Sequence, residues 1–484
     1  LYSSAASDVY KRQEGGYGST LAITALSLRD RIEILSDGGL PSEDYATALR
    51  ASDLDNIAVN RLTIGGTPRV NYGQGGNMLL VDDGNPVAGI TVRSGAVLTA
   101  PEVMLISTGL QSDSSSAIEI EQGAVINTLG QGDAAYDSND GFIYQPGKAS
   151  VVAVSNGTLQ WLAPAESSGN SGPGHIRIGG CATVDCTGTT QLYSEGSISF
   201  VTNNDFELDD DVRYGTRHLS LGVGSFNIGS TEALAAAAAR NALAPGLALN
   251  QQVMERLLQG DTSVGAPALE TLELIAADSV NFFDSVTLST LDANGKSLLD
   301  NLLLTTPAIY GYGDASDVAL IETGHLIWNG SGDTPGAVVT DGAGTGSGSL
   351  TVDAERITFG YGLWRHPDGI SSLDRLALGF TNVNLNASDR ITANNKGTLA
   401  VYQSQSAYVP GEGVSYSGGN LNITTPLITG EAGSVNNITA GGTIRVAAPQ
   451  AGAADPAELS ALGAEFSLTA GQGLSLDTAV ALPS

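Results

Sequence analysis

The chain is dominated by short runs in which every second residue is apolar, separated by Gly, Asn, Asp and Ser. Successive side chains of a strand point to opposite faces, so these runs predict half-buried strands joined by turns. Many share one loose form: apolar, polar, apolar, polar, a small residue, two or three polar positions, then apolar again. Leu350-Thr-Val352-Asp-Ala354-Glu-Arg-Ile357-Thr-Phe359 is one copy, Val383-Asn-Leu385-Asn-Ala387-Ser-Asp-Arg-Ile391 a second, and Phe466-Ser-Leu468-Thr-Ala470-Gly-Gln-Gly-Leu474-Ser-Leu476 a third. Leu272-Glu-Leu274-Ile-Ala276-Ala-Asp-Ser-Val280-Asn-Phe282 fits as well, and Ile90-Thr-Val92, Ile118-Glu-Ile120 and Ile198-Ser-Phe200 are shorter relatives.

Starts at Leu421, Thr443 and Phe466 follow one another at roughly 20 residues, a spacing that signals stacked repeats. The expected fold is all-β, a parallel β-helix in which alternate side chains enter a continuous core and small residues occupy sharp corners. Stacking strand on strand also pairs the backbone donors and acceptors that a lone strand would leave open. A β-sandwich or barrel is the rival, since alternation alone fits it; the small-residue corner and the length favour the solenoid.

One segment breaks the pattern. Ser230-Thr-Glu-Ala-Leu-Ala-Ala-Ala-Ala-Ala-Arg240 predicts a helix, with Ser230 as N-cap, Glu232 in its first turn and Pro245-Gly246 beyond its end. A second helix is expected over Leu249–Leu258, with Val253 and Leu257 on one face and Gly260 as its stop. The expected organisation is β-helix over residues 14–229, a short α-helical insertion on the flank over 230–262, and β-helix again over 263–484. The opening Leu1–Gln13, LYSSAASDVYKRQ, reads like adapter-derived sequence and is set aside. The C-terminal LSLDTAVALPS stops inside a strand pattern, so the chain reads as a fragment.

Composition narrows the function. With 21 Lys+Arg against 51 Asp+Glu the formal charge is −30, which argues against nucleic acid or an anionic membrane surface as partner. No apolar run approaches the ~18 residues of a membrane helix, so no membrane insertion is expected. The 62 glycines among 484 residues are about twice the usual share, while a 42% hydrophobic fraction can fill a large core. Cys181 and Cys186 are too few for a zinc cage. A local disulfide between them fits an oxidising compartment; two free thiols in a turn are the alternative.

Catalytic motifs are absent. His175, His218, His325 and His366 show no metal-ligand spacing, and there is no G-x-S-x-G elbow. His218 sits in an alternating run and is expected to face solvent. Gly295-Lys-Ser297 lacks the leading glycine of a phosphate loop. Some parallel β-helices are polysaccharide lyases or glycosidases that gather carboxylates on one face; Asp209-Asp210-Asp211 and the run Asp133 to Asp140 are the densest acidic candidates, and solvated turns are the expected reading. Neither metal nor cofactor is predicted. Trp161, Trp328 and Trp364 are the indoles that could stack on sugars. The most ligand-like patch is Phe359-Gly-Tyr361-Gly-Leu-Trp364-Arg365-His366, with Tyr361, Trp364, Arg365 and His366 as candidate contacts.

Several runs together resemble the filamentous haemagglutinin-like large exoproteins of two-partner secretion. They are Val59-Asn-Arg-Leu62-Thr-Ile64-Gly-Gly66, Ile90-Thr-Val92-Arg-Ser-Gly-Ala-Val-Leu98, Ala117-Ile-Glu-Ile120-Glu-Gln-Gly-Ala-Val-Ile126, Val212-Arg-Tyr-Gly-Thr-Arg-His-Leu219 and Leu257-Leu-Gln-Gly-Asp261. The resemblance extends from about Ile57 to the end. It implies a long right-handed β-helix, exported through an outer-membrane partner transporter to the bacterial cell surface or medium, with roles in adhesion, aggregation or biofilm. It implies no catalytic residues. The expectation is therefore a non-enzymatic adhesin stalk whose partners are host or bacterial surface glycans or proteins. A carbohydrate-active β-helix enzyme and the stalk of a contact-dependent toxin are the rivals.

Overall fold

The computed structural model describes residues 18–25, 27, 29–73, 76–81, 87–108, 117–165, 174–181, 186–204, 206–360, 372–449 and 463–482. They are mostly β-strand, with few helices, and they fall into two compact units. The first runs to Gly224 and takes in Gln259–Ile275; the second holds Ser225–Leu258 and the chain from Ala276, apart from a short masked segment.

In the second unit the alternation becomes columns. Val286–Ser289, the first half of Val318–Trp328, the first halves of Gly348–Phe359 and Phe380–Ala393, then Asn420–Thr424, Thr443–Ala447 and Gly473–Asp477 pair one on the next, all parallel. Leu288, Ile321, Val352, Leu385, Ile423 and Val446 fall in register along them and are buried. A neighbouring column faces outward: Asn422 Nδ2 donates to Asn384 Oδ1 at 3.0 Å and Asn384 Nδ2 to Thr351 Oγ1 at 3.1 Å. The inward column contributes about 1.5–3 kcal/mol per aliphatic side chain removed from water, and the outward one continues the backbone ladder with side-chain amides.

Two further families stack the same way. Leu302, Leu326, Ile357, Ile391 and Ile428 form one buried column. Ile309, Ala377, Val401 and Ala440 form another, on Ala308–Tyr312, Leu373–Leu378, Lys396–Tyr402 and Val435–Ala440. Gly348–Phe359 and Phe380–Ala393 are continuous strands that serve two families in turn. Where they change, the register slips: Ala354 pairs Ala387 but Arg356 pairs Arg390, so the later strand carries one extra residue. Such a bulge bends a strand, and the small residues expected at a corner stand there.

The copies Leu350–Phe359 and Val383–Ile391 stack on each other, in register on either side of that bulge. The run Phe466–Leu476 does not join them as one copy: its first half pairs with Val435–Ala440 and its second with Thr443–Ala447. Alternation is the same on every family, so it cannot say which one a run belongs to.

The first unit has equivalent columns. Ile32, Ile90, Ile118, Ile176 and Phe206 are in register on parallel strands, as are Ile34, Val92, Ile120, Ile178 and Leu208. Parallel order is not uniform: Arg69–Gly73 pairs antiparallel with Gly76–Leu80 in a small sheet, and the largest sheet contains a second reversal. Ser150–Ser155 lies between Glu102–Ser107 and Ser197–Val201 and is antiparallel to both. The reversal begins at Pro146-Gly147, where Gly147 has φ 60° and the Ala149 amide donates to the Pro146 carbonyl at 3.2 Å. The large sheet is therefore mixed. Phe142, Tyr144, Leu159 and Trp161, from the segment around this reversal, pack with Val151, Met104 and Leu79 into one buried cluster.

The segment expected to be helical is helix, strand, helix. Thr231–Ala239 is capped by Ser230, whose Oγ accepts from the Ala233 amide at 3.1 Å. Gly246–Leu249 then adds a parallel strand to Ser225–Ile228. Gln251–Gln259 follows, capped by Asn250, whose Oδ1 accepts from the Val253 amide at 3.0 Å. It buries Met254 and Leu257, while Val253 is only half-buried.

Candidate functional site

Several sequence candidates have structural roles. Trp161 is fully buried against Tyr144, ring centroids 5.2 Å apart. Trp328 is buried against Phe359 at 6.4 Å, and the Arg375 guanidinium covers that phenyl ring. Neither indole can receive a sugar. Tyr361, Trp364, Arg365 and His366 lie outside the described residues. Asp137 braces a turn, its carboxylate accepting from the amides of Asn139 at 2.7 Å and Thr158 at 3.1 Å, and Asp209 Oδ1 accepts from the Asp211 amide at 3.1 Å. His218 is half-buried rather than solvent-facing, and burial holds its imidazole below its usual range. Cys181 and Cys186 are paired as a disulfide, Cα atoms 5.9 Å apart.

Stacking creates a charged cluster that the linear sequence does not show. The middle residues of Ile32-Glu33-Ile34, Ile90-Thr91-Val92, Ile118-Glu119-Ile120, Ile176-Arg177-Ile178 and Phe206-Glu207-Leu208 form one column. Beside it Arg93 donates to Glu33 Oε2 through Nε and Nη2, each at 3.1 Å, and to Glu121 Oε1 through Nη1 at 2.9 Å. The remaining oxygens are used too: Ser42 N donates to Glu33 Oε1 at 2.6 Å and Ser94 N to Glu121 Oε2 at 2.9 Å. Tyr45 lies over Arg93, and its hydroxyl bonds Thr91 at 2.7 Å. Glu119 differs. Burial, then the Glu121 charge, lifts its carboxyl above the usual range, and Oε1 has no hydrogen-bond partner among the described residues. Arg177 Nη1 stands 3.9 Å from it. Glu33, Glu119 and Glu121 are all buried.

A second constellation lies in the second unit. Residues 403–418 leave the strand family as a hairpin, Ser404–Gln405 antiparallel to Tyr416–Ser417. At its base Tyr416 stacks on Tyr402, centroids 4.8 Å apart and rings 19° from parallel. The two rings, with Pro307, Pro335, Asp333, Asp374 and Thr398 among their neighbours, line a cavity of about 270 Å³. Asp374 Oδ1 accepts from the hydroxyls of Ser372 at 2.7 Å and Thr398 at 2.9 Å. Asp333 Oδ2 accepts from Ser331 Oγ at 3.1 Å. Arg375 is part of the cavity lining but buried, and it donates to backbone carbonyls, of Trp328 at 2.8 Å, Asn329 at 3.0 Å and Thr398 at 3.3 Å. Nothing in the sequence marked this site, because Asp333, Asp374, Tyr402 and Tyr416 come from separate turns and strands. The one signal that could have pointed to a projecting element is the pair Tyr408 and Tyr416 within a Gly- and Ser-rich run.

Among the described residues no group of three or more His, Cys, Asp or Glu could hold a metal ion, and no helix is long and apolar enough to cross a membrane. No protein-family model, curated protein or solved structure matches the chain.

Proposed function

We propose that the chain is the stalk of a secreted or cell-surface adhesin of the filamentous haemagglutinin-like kind, a right-handed parallel β-helix that carries binding loops. The observation that supports this reading most is the in-register parallel stacking of short strands, with aliphatic columns inward and Asn, Thr and Ser columns outward. A scaffold of this kind is stiffened by its own ladder and tolerates long excursions between strands, as the hairpin at 403–418 illustrates. Repeated weak sites on one chain would then raise avidity. The strong negative charge fits a surface molecule that must not stick to its own kind along exposed strand edges.

One observation favours a second reading, cleavage of a polysaccharide. Burial, and then the Glu121 charge, raises the Glu119 carboxyl above the usual carboxylate range, two residues from the arginine-paired Glu121, and glycoside hydrolysis uses a raised carboxyl as general acid beside a second carboxylate. Against it, Glu33, Glu119 and Glu121 are covered, and the carboxylate oxygens of Glu33 and Glu121 are committed to Arg93, Ser42 and Ser94. The test is to incubate the protein with immobilised polysaccharides and matrix proteins and to score retention together with soluble sugar release. Retention without release is the expected result. Release that is lost in Glu119→Gln would establish the second reading.

A further inference from the structure

We infer that the cavity under the 403–418 hairpin is a saccharide subsite, taking a neutral, hydroxyl-rich sugar ring against the Tyr402–Tyr416 pair. The inference rests on the adhesin reading and gives it a ligand class and a place.

Three features select that chemistry. The first is the aromatic wall. Tyr402 and Tyr416 are stacked on each other, and Tyr416 is 38% exposed at the cavity. A rigid phenol surface suits the C–H face of a pyranose, which is apolar and flat, and costs little side-chain entropy on binding. Neither phenol hydroxyl has a hydrogen-bond partner among the described residues, so both can serve a ligand.

The second is the acceptor set. Asp374 is anchored through Oδ1 alone and Asp333 through Oδ2 alone, which leaves one open oxygen on each for sugar hydroxyls. These carboxylates also reject uronates and sialic acids. The guanidinium in the lining, Arg375, is buried and its Nε, Nη1 and Nη2 already donate to backbone carbonyls, so an acid group would have to compete for them.

The third is what the wall lacks. An extended peptide needs free backbone groups to pair with, and several of those bordering the cavity are in use. Asp374 N–H and C=O both bond Ser331, at 2.8 and 3.1 Å, and the Leu376 amide donates to the Pro307 carbonyl at 2.9 Å. A volume of about 270 Å³ lies just below the usual range of small-molecule sites, enough for a ring or two of a longer glycan rather than a folded partner.

The experiment uses the full chain against immobilised β-glucan, galactan and mannan as neutral probes, alginate as the anionic one and chitosan as the cationic one, with collagen and fibronectin alongside. The expected result is retention on at least one neutral polysaccharide, weakened about tenfold by Tyr416→Ala and unchanged by Tyr408→Ala, which alters the same hairpin away from the cavity. Tyr416→Phe keeps the stack and should retain most of the binding. Asp374→Asn should weaken neutral-glycan binding without making it salt-dependent. Preference for alginate, a salt-sensitive preference for chitosan, or neutral-glycan binding indifferent to Tyr416→Ala would overturn the subsite. Binding to collagen or fibronectin alone would overturn it too, while leaving the adhesin reading in place. Sugar release that persists in Tyr416→Ala would instead overturn the adhesin reading.

Discussion

His325 gives the stack a built-in pH dependence. Its Nδ1 bonds Asn301 Oδ1 and its Nε2 bonds Thr358 Oγ1, each at 2.8 Å. The amide oxygen can only accept, so Nδ1 carries the proton and Nε2 accepts from the threonine hydroxyl. That arrangement satisfies neutral imidazole, and a second proton on Nε2 would require the Thr358 hydroxyl to turn from donor to acceptor. Burial, and then the charge of Arg356 directly across the parallel pairing, lowers the imidazole from 6.5 to about 4. The unfolded chain therefore binds a proton that the folded one refuses between those two values. Stability supplied by neutral His325 is fully present above pH 6.5 and is lost as pH falls toward about 4. At about 1.4 kcal/mol per pH unit the whole loss is about 3 kcal/mol. Denaturant unfolding of the native protein and of His325→Gln at pH 7 and at pH 4 isolates this term from the many carboxylates, which both proteins share. The native protein should lose about 3 kcal/mol more than the variant over that range. Parallel pH profiles, or a His325 ring resonance that titrates near 6.5, would refute the reasoning.

Three further outcomes follow from the packing. Leu385→Ala, in the middle of a buried column, should cost about 2–5 kcal/mol by equilibrium unfolding, whereas Asn422→Ala in the outward column should cost about 1 kcal/mol. Arg61 is buried beside Glu102, which also accepts from Ser155 Oγ at 2.9 Å; Arg61→Ala should therefore cost about 3–5 kcal/mol, because it strands a buried carboxylate. Reduction of Cys181–Cys186, which are five residues apart, should lower stability by about 2 kcal/mol from loop-closure entropy, read as a shift of the denaturant midpoint with an unchanged slope.

What the sequence reveals and what it hides divide along a physical line. Period-two alternation is local, so the strands, the inward residues and the Ser230 cap are legible residue by residue. The equivalence of Leu350–Phe359 and Val383–Ile391 is legible too, because their small-residue corner repeats at the same offset. Which strand lies on which is a long-range matter, and the same pattern on every family left Phe466–Leu476 in the wrong place. The antiparallel Ser150–Ser155 escaped for a related reason: a strand reads the same in either direction, and only Pro146-Gly147 marks the reversal. The charged column at Glu33, Glu119 and Arg177 was available in principle, since each is the centre of an apolar-x-apolar triplet. It needed the triplets to be stacked before their middle residues could be compared. The tyrosine cavity needed more, namely the course of the 403–418 hairpin and of residues 329–336.

The claim on which everything else rests is the register of the parallel stack, and a pair of engineered cysteines tests it most directly. Asn384 and Asn422 are opposed on adjacent parallel strands, which places them about 4.8 Å apart, within the span a disulfide bridges. Asn384→Cys with Asn422→Cys should cross-link readily in the folded protein, found by peptide mapping, and should leave unfolding at least as cooperative as before. Asn384→Cys with Thr424→Cys, displaced by two residues, should not. Cross-linking of the displaced pair in preference to the opposed one would contradict the stack.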